Sequence, residues 1–221
     1  MPRRVIPIRL LIGLILSAVV MTTSTTKGSE RAISHNEGNV AQEDIPKVNQ
    51  VKLNKVKAAF IVNFMKFTNW PDDAFESEQS PIRVCIIGKS PVGEYLETTL
   101  KTAKVHGRSL LQERLEIPLR QQFTSDESFE SEMADFAVRL TRCHMIYISQ
   151  DDTPGVKELL GKTDLQHTLV IANDVKMLAK GAHLVFLIKD GHVAFSASVD
   201  NINRTKLKVS SKLLQLAQKT K

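Results

Sequence analysis

The sequence predicts a single-domain α/β fold, in which helices cover a mixed β-sheet of about five to six strands and the chain closes with a β-hairpin and a helix. Short apolar runs alternate with stretches of helical period from Lys47 onwards. Towards the C-terminus, Asp190-Gly191 separates two apolar runs, which is the strongest short-range signal for a hairpin. These two observations place the domain at residues 47–221 and show no internal repeat.

The first predicted element is a helix that is apolar on nearly every side. Leu53, Val56, Phe60, Phe64 and Phe67 follow one another at spacings of 3, 4, 4 and 3 residues, which is the helical period. We expect the helix to end near Trp70-Pro71, because a residue before proline avoids the helical region. A helix of this composition is expected to be buried on more than one face.

The remaining elements follow in alternation. Ser90 is a possible N-cap and Pro91 a first helical residue. Strands are predicted at 82–87, 115–119, 145–148, 169–171, 184–188 and 193–197, and helices at 92–100, 125–140, 154–160, 174–179 and 210–218.

The charge distribution argues against nucleic-acid binding, although the sequence pI is about 9.3 and the net charge +6. Residues 1–28 carry four basic residues and no acidic one, and residues 204–221 carry six and none. The body between them holds 20 basic and 24 acidic residues, so it is slightly acidic. A hydrophobic content of 42% also excludes a wholly disordered or collagen-like chain.

The basic N-terminus has its own explanation. Arg3 and Arg4 precede an apolar run from Val5 to Met21 and a small, polar stretch, which together predict a secretory signal peptide at 1–28. The alternative is an uncleaved membrane anchor, but the run is shorter than the roughly 20 residues that a span requires. Residues 29–46 have no sustained apolar period and are interpreted as a flexible leader. We therefore expect an exported domain.

No motif predicts catalysis, a metal or a cofactor. Gly88-Lys89-Ser90 resembles the end of a phosphate-binding loop, but Arg83 stands where that loop requires its first glycine. No serine or cysteine has a histidine and a carboxylate that the sequence places beside it. The six histidines lack the paired helical spacing of metalloproteases, and they are His35, His106, His144, His167, His183 and His192. The sequence therefore gives no support to a hydrolytic or nucleotide-hydrolysing enzyme.

The two cysteines allow two interpretations. Export would place Cys85 and Cys143 in an oxidising compartment, where an even pair favours a disulfide. Two free, buried thiols are the alternative, because alignment of the two residues does not follow from the sequence.

Several segments together resemble the YfiR-like family of bacterial periplasmic proteins. They occur in matching order from about Lys52 to Ala217, and the first helix ending in Trp-Pro and the Cys-His strand are the most specific. The segments are VKAAFIVNFMKFTNWP at 56–71, IRVCIIG at 82–88, Gly107-Arg108, CHMIYI at 143–148 and LKVSSKLLQLA at 207–217.

The resemblance implies a periplasmic regulator, not an enzyme. The best-known member of the family holds an inner-membrane diguanylate cyclase inactive by binding its periplasmic sensor portion, which keeps cyclic-di-GMP and biofilm formation low. Redox stress, or capture of the regulator on an outer-membrane lipoprotein, releases the cyclase. The family is also associated with homodimers and disulfides, and Cys85 and Cys143 stand where its members commonly have cysteines.

This chain departs from the family pattern in three places. Phe195-Ser-Ala-Ser198 replaces Phe-x-Ile-Asn after the hairpin, and Gly181-Ala182 replaces a glycine pair. A second, C-terminal cysteine pair of some members is missing from the sequence, which weakens transfer of a redox switch.

We expect the partner-binding surface at the basic C-terminal segment, defined by Arg204, Lys206, Lys208 and Lys212. A one-sign cluster beside an apolar helix suits an acidic partner face with an apolar centre. Alternatively, Leu213, Leu214 and Leu216 close the core and the lysines are its solvated rim. A second function class is a small-molecule-binding sensor module for a two-component or transport system, which requires a pocket.

Overall fold

The computed structural model describes residues 47–149, 155–156, 160–161 and 163–219. It shows a mixed α/β domain with a seven-stranded sheet, which confirms the predicted fold class. The predicted signal peptide, the leader and most of the helix at 154–160 lie outside the described residues.

The elements are numbered in chain order. The α-helices are α1 (Lys47–Lys66), α2 (Pro91–Leu100), α3 (Asp126–Thr141), α4 (Val199–Asn203) and α5 (Ser211–Gln215), and short 3₁₀ helices occupy Asp72–Ala74, Arg120–Gln122 and Val175–Lys180. The strands are β1 (Thr68–Asn69), β2 (Ile82–Ile87), β3 (Lys104–Val105), β4 (Arg108–Leu115), β5 (Met145–Ile148), β6 (Leu169–Ala172), β7 (Leu184–Lys189), β8 (His192–Ala197) and β9 (Lys208–Val209).

The main sheet has the order β3-β4-β2-β5-β6-β7-β8. Strands β4, β2, β5, β6 and β7 run parallel, and β3 and β8 are antiparallel strands at the two edges. A separate ribbon pairs β1 with β9, so the C-terminal segment returns to the end of α1. All five parallel strands therefore begin at the same end of the sheet. We call this end, where the first residues of the strands lie, the amino-terminal edge; it is distinct from the two outermost strands, β3 and β8.

The sheet is sandwiched between two apolar layers. On one face, Ile61, Phe64 and Met65 of α1 pack with Leu96 of α2 against alternate strand residues. On the other face, Phe136 and Leu140 of α3 pack against the intervening ones. Strands β5 and β6 are buried along their whole length, as expected for parallel strands with helices on both faces.

One strand prediction is wrong, and the sheet has one strand more than the upper estimate. The observed strand is Arg108–Leu115, rather than 115–119. Residues 112–114 are polar on both faces because this strand lies near an edge, so it lacks the apolar pattern that marks the central strands. The additional strand, β3, is only two residues long.

The predicted Ser90 cap and Asp190-Gly191 turn are observed, whereas the predictions for Phe67 and for the last helix need correction. Ser90 Oγ accepts a hydrogen bond from the Val92 backbone N–H at 3.1 Å, and Asp190-Gly191 forms the hairpin turn with φ of 51° and 71°. Phe67 is 38% exposed, because α1 ends at Lys66 and Phe67 leaves the helical face. The last helix is also shorter than predicted, covering Ser211–Gln215.

Candidate partner-binding site

Three motifs that lie far apart in the chain meet at the amino-terminal edge. They are Trp70-Pro71 after α1, Gly107-Arg108 where β4 begins, and Cys143-His144 before β5. The indole Nε1–H of Trp70 donates a hydrogen bond to the His144 carbonyl oxygen at 3.1 Å. The motifs that carry the family resemblance therefore build one region of the molecule.

A three-layer stack holds this region together. The Phe75 ring lies parallel to the His144 imidazole at a centroid distance of 4.4 Å, and the Arg108 guanidinium carbon lies 3.7 Å from the centre of the Phe75 ring. Arg108 Nη1 also donates hydrogen bonds to the carbonyl oxygens of Ser77, Glu78 and Ser80 at 2.8, 2.8 and 2.9 Å. One arginine thus fixes the loop after Trp70-Pro71, which explains its place in the motif.

The His144 ring replaces a carbonyl group in the sheet ladder. Its Nδ1 accepts a hydrogen bond from the Arg83 backbone N–H at 3.0 Å, and the backbone N–H of His144 donates to the Arg83 carbonyl. Since Nδ1 accepts, the neutral ring carries its hydrogen on Nε2, which lies 2.9 Å from the Ala74 carbonyl oxygen. Burial lowers the pKa of His144, so the ring is neutral at pH 7. In this neutral form both ring nitrogens have a hydrogen-bond partner.

A disulfide joins Cys85 of β2 to Cys143, two residues before β5, with a Cα–Cα distance of 5.9 Å. Both cysteines are buried against α3, on the face opposite the His144 stack. Cys143 also lines a cavity of about 250 Å³ at the amino-terminal edge, together with Asp73, Arg83 and Arg142. The bridge therefore links the central strands directly beneath the converging motifs.

The basic C-terminal segment adjoins the same edge. Lys208 pairs with Asn69 in the β1–β9 ribbon, and the Ser210 backbone N–H donates to the Phe67 carbonyl at 2.8 Å. Lys206 Nζ lies 2.9 Å from Asp73 Oδ2, and its hydrogen bond lowers the pKa of Asp73. His167 Nε2 lies 3.3 Å from the other Asp73 oxygen.

The four predicted cations are thus divided between two roles. Lys206 is neutralised by Asp73 and fixes the segment, whereas Arg204, Lys208 and Lys212 are exposed and form no ion pair within the part of the chain that the structure describes. The structure brings them to one region, and its surface carries fewer uncompensated charges than the sequence indicated.

The apolar residues beside this segment are also divided. Leu213 is buried and closes the core, but Leu216 is 65% exposed. The interpretation that Leu213, Leu214 and Leu216 all close the core is therefore wrong for Leu216. Together with Phe67, it leaves apolar surface next to the cations.

A larger cavity of about 480 Å³ lies where β6 and β7 begin. Its lining includes Asp164, Lys180, His183, Arg204 and Thr205. His183 Nδ1 accepts the Val170 backbone N–H at 2.9 Å, and its Nε2 has no hydrogen-bond partner among the described residues. Burial lowers the pKa of His183 to about 4.

Sequence reasoning missed the residues that organise this edge, namely Asp73, Phe75, Arg108 and His144. Only Gly107-Arg108 and Cys143-His144 gave a signal, as parts of a recognised pattern. The hydrogen bonds of His144 join residues 61 to 74 positions apart, those of Arg108 join residues 28 to 31 positions apart, and no local period reports such contacts.

The described residues contain no group of three or more potential metal ligands, and none of their helices is long and apolar enough to cross a membrane. The structure thus defines a mixed α/β domain with a disulfide beneath its converging motifs. The YfiR/HmsC-like family model matches residues 54–218, and the chain belongs to this family, whose members are periplasmic and regulatory rather than catalytic. No curated protein matches the chain.

Proposed function

We propose that this chain is a periplasmic regulator that binds the periplasmic sensor portion of an inner-membrane signalling protein and holds it inactive. We take a diguanylate cyclase as the target, so that repression lowers cyclic-di-GMP and biofilm formation. Membership of the YfiR/HmsC-like family supports this class of function. Repression of this kind requires only that the regulator bind the inactive form of its target more tightly than the active form.

The observation that carries the proposal is the position of the basic C-terminal segment. The β1–β9 ribbon and the Lys206–Asp73 ion pair hold it beside the converging motifs. Because its backbone is fixed by these contacts, Arg204, Lys208 and Lys212 are presented with little remaining backbone freedom to lose. Preorganisation of this kind lowers the entropic cost of binding.

The chemistry of the surface suggests the chemistry of its partner. Exposed cations next to Phe67 and Leu216 suit an acidic sensor face with an apolar centre. Release by an outer-membrane lipoprotein fits the same surface, because a competitor with similar chemistry would displace the target. Mutual exclusion of the two partners follows from this arrangement.

Site-specific crosslinking in the periplasm tests the proposal. A photo-reactive residue in place of Lys208 is expected to capture an inner-membrane protein that has a periplasmic sensor portion and a cytoplasmic cyclase domain. The matched control replaces Lys176, an exposed lysine after β6 on the opposite edge of the sheet. Equal capture of the same protein from both positions, or capture from Lys176 alone, would contradict the proposed surface.

A second candidate function is supported by the cavity at His183. Its volume of about 480 Å³ falls within the range of small-molecule sites, and it combines cationic, hydroxyl and imidazole groups. The candidate is a sensor module that binds a small metabolite and reports to a two-component or transport system. A metabolite panel in a thermal-shift assay tests it: a ligand at saturation raises the melting temperature by several degrees, and no shift across the panel argues against it.

A further inference from the structure

The cavity at His183 contains a hydrogen-bond donor that the fold does not use. His183 is only 4% exposed and lines this cavity of about 480 Å³. Its Nδ1 accepts the Val170 backbone N–H, so the neutral ring carries its hydrogen on Nε2. Burial lowers the pKa of His183 to about 4, which keeps the ring neutral at pH 7. At His144 the corresponding N–H faces the Ala74 carbonyl, whereas no described residue accepts the hydrogen of His183 Nε2.

This donor is accessible from the cavity. Among the described residues, side-chain nitrogen or oxygen atoms that are fully inaccessible and lack a hydrogen bond occur on Gln112, Arg139 and His167. The Nε2 atom of His183 is not one of them, so it retains accessible surface where the ring lines the cavity. A largely buried donor without an acceptor costs free energy. A ligand in the cavity can supply that acceptor.

The charged groups around the cavity favour an anion of low charge. Lys180 and Arg204 line it, and Asp164 is the only acidic residue of its described lining. Neither cation forms an ion pair within the part of the chain that the structure describes. Asp164 accepts the Gln166 backbone N–H at 3.3 Å. Two cations against one carboxylate leave a single net positive charge, which matches a monoanion better than a doubly charged ion.

The other polar side chains of the cavity have already used their hydrogens. Asn201 Nδ2 donates to the Leu178 and Ala182 carbonyl oxygens at 2.7 and 2.8 Å, and Thr205 Oγ1 donates to the Ile202 carbonyl at 2.7 Å. The remaining lining is largely apolar. Its apolar members are Leu160, Leu165, Val170 and Ala179. This lining suits a ligand with a hydrocarbon part and one anionic head.

We propose that the cavity at His183 binds a small monocarboxylate with an apolar tail. The carboxylate accepts the hydrogen of His183 Nε2 and pairs with Arg204, and the tail lies against the apolar lining. A neutral ligand would leave both cations unpaired, and a phosphate dianion would bring more negative charge towards Asp164 than the lining compensates. The proposal rests on the sensor-module candidate, whose ligand class it names, and it does not depend on binding of a protein partner.

Calorimetric titration of the purified protein at pH 7 tests the ligand class. The probes are benzoate and hexanoate, with benzamide and hexanamide as neutral controls of the same shape, and inorganic phosphate. We expect each carboxylate to bind at least tenfold more tightly than its amide and than phosphate. Absence of binding by both carboxylates overturns the proposal, and so does equal binding of acid and amide or preferential binding of phosphate. The sensor-module candidate survives these results if a ligand of another class raises the melting temperature in the metabolite panel.

Two substitutions locate the site. His183→Asn can keep an acceptor for the Val170 N–H but removes the Nε2 hydrogen, and Arg204→Gln removes the guanidinium charge. We expect each to weaken binding of benzoate at least tenfold. Lys176→Gln, which removes an exposed charge outside the described lining, is the control and should bind benzoate as wild type does. Because Arg204 also belongs to the basic C-terminal segment, these titrations contain no protein partner. Wild-type affinity in both site variants overturns the proposal.

Nitrogen NMR of the histidine rings identifies the contact independently of the variants' stability. The resonances of His183 are assigned by their loss in His183→Asn or, if that variant does not fold, by sequential assignment of the wild type. Saturation with benzoate should shift the Nε2 signal of His183 and leave that of His144, whose N–H faces the Ala74 carbonyl, in place. Binding of benzoate without a shift of the His183 signal would place the ligand elsewhere and overturn the proposal.

Discussion

His144 and His183 occupy equivalent places in the sheet and have different surroundings. Each stands directly before a parallel strand, and each ring accepts through Nδ1 a backbone N–H of the neighbouring strand, from Arg83 and Val170 respectively. The His144 ring also reaches the Ala74 carbonyl through Nε2 and stacks on Phe75. The His183 ring has no second hydrogen-bond contact of this kind among the described residues and borders a cavity of about 480 Å³, larger than the cavity of about 250 Å³ beside His144.

The same contact, a histidine Nδ1 that accepts a backbone N–H of the neighbouring strand, therefore occurs in two different surroundings. Around His144, a disulfide, an aromatic stack and an arginine fix the surface, and the cavity that the ring borders there is the smaller one, of about 250 Å³. Around His183, the same imidazole contact is found beside the larger cavity next to Arg204. We infer that the His144 region supports a protein-binding surface, whereas the larger cavity at His183 is where a small ligand would enter.

The largest expected effect comes from the disulfide, which is present only in the His144 region. Replacing Cys85 and Cys143 together by alanine frees a loop of 58 residues and should lower the free energy of unfolding by about 4 kcal/mol in the chain-entropy model. Urea denaturation measures this change. The wild-type protein in excess reductant is the control and should approach the variant, and equal stability with and without the bridge would contradict the account.

Alanine substitution of each histidine compares the two regions directly. His144→Ala leaves the Arg83 N–H and the Ala74 carbonyl without a partner and removes a ring contact, so it should cost roughly 3 kcal/mol. His183→Ala leaves only the Val170 N–H, and should cost roughly 2 kcal/mol. Denaturation of both variants gives the difference, and a larger loss for His183→Ala would reverse the comparison.

Acid should destabilise the protein through the same histidines. Burial lowers the pKa of His183 to about 4, while the unfolded chain has the ordinary value of about 6.5. As the pH falls between these values, the unfolded state binds the proton first, so stability present above about pH 6.5 is lost towards pH 4. Between pH 7 and pH 5 this histidine should account for a loss of about 2 kcal/mol.

Denaturation of wild type and His183→Asn at both pH values checks this expectation. The variant should lose less stability on acidification, and the remaining loss should include His144, whose pKa is also lowered by burial. An identical pH dependence in both proteins would show that His183 is not the titrating group.

The smallest stability effect is expected at Arg108. A lysine there keeps the charge but cannot stack as a plane on Phe75, so Arg108→Lys should cost roughly 1 kcal/mol. Arg120→Lys, on an exposed ion pair with Asp126, is the matched control and should be nearly neutral. Equal losses of stability for the two substitutions would show that the Arg108–Phe75 contact does not stabilise the protein.

Local patterns predicted most of the fold and little of the site. Strands β5 to β8, the Ser90 cap and the Asp190-Gly191 turn all depend on neighbouring residues, which a sequence displays directly. Strand β4 was misplaced because a strand near the edge of the sheet lacks a fully apolar pattern. Its true position is defined by its pairing with β2, which the sequence does not display.

The candidate site depends on contacts that local patterns do not contain. The sequence indicated the basic C-terminal segment, but not that Asp73 neutralises Lys206 or that β9 pairs with β1. The Arg108, Phe75 and His144 stack likewise joins three separate elements. Two residues of this stack, Arg108 and His144, were indicated by the sequence, and only through the resemblance to a family. The resemblance did not say what these two residues contact.

The central claim is that the basic C-terminal segment is the partner-binding surface, and charge reversal tests it most directly. Affinity for the periplasmic sensor portion of the captured partner is measured with the double variant Arg204→Glu, Lys208→Glu. The control is Lys89→Glu, Lys176→Glu, which makes the same change of charge at exposed lysines of the opposite edge. We predict that the first variant loses at least a hundredfold in affinity at an unchanged melting temperature, while the control binds within a few-fold of wild type. Undiminished binding by the first variant would contradict the account.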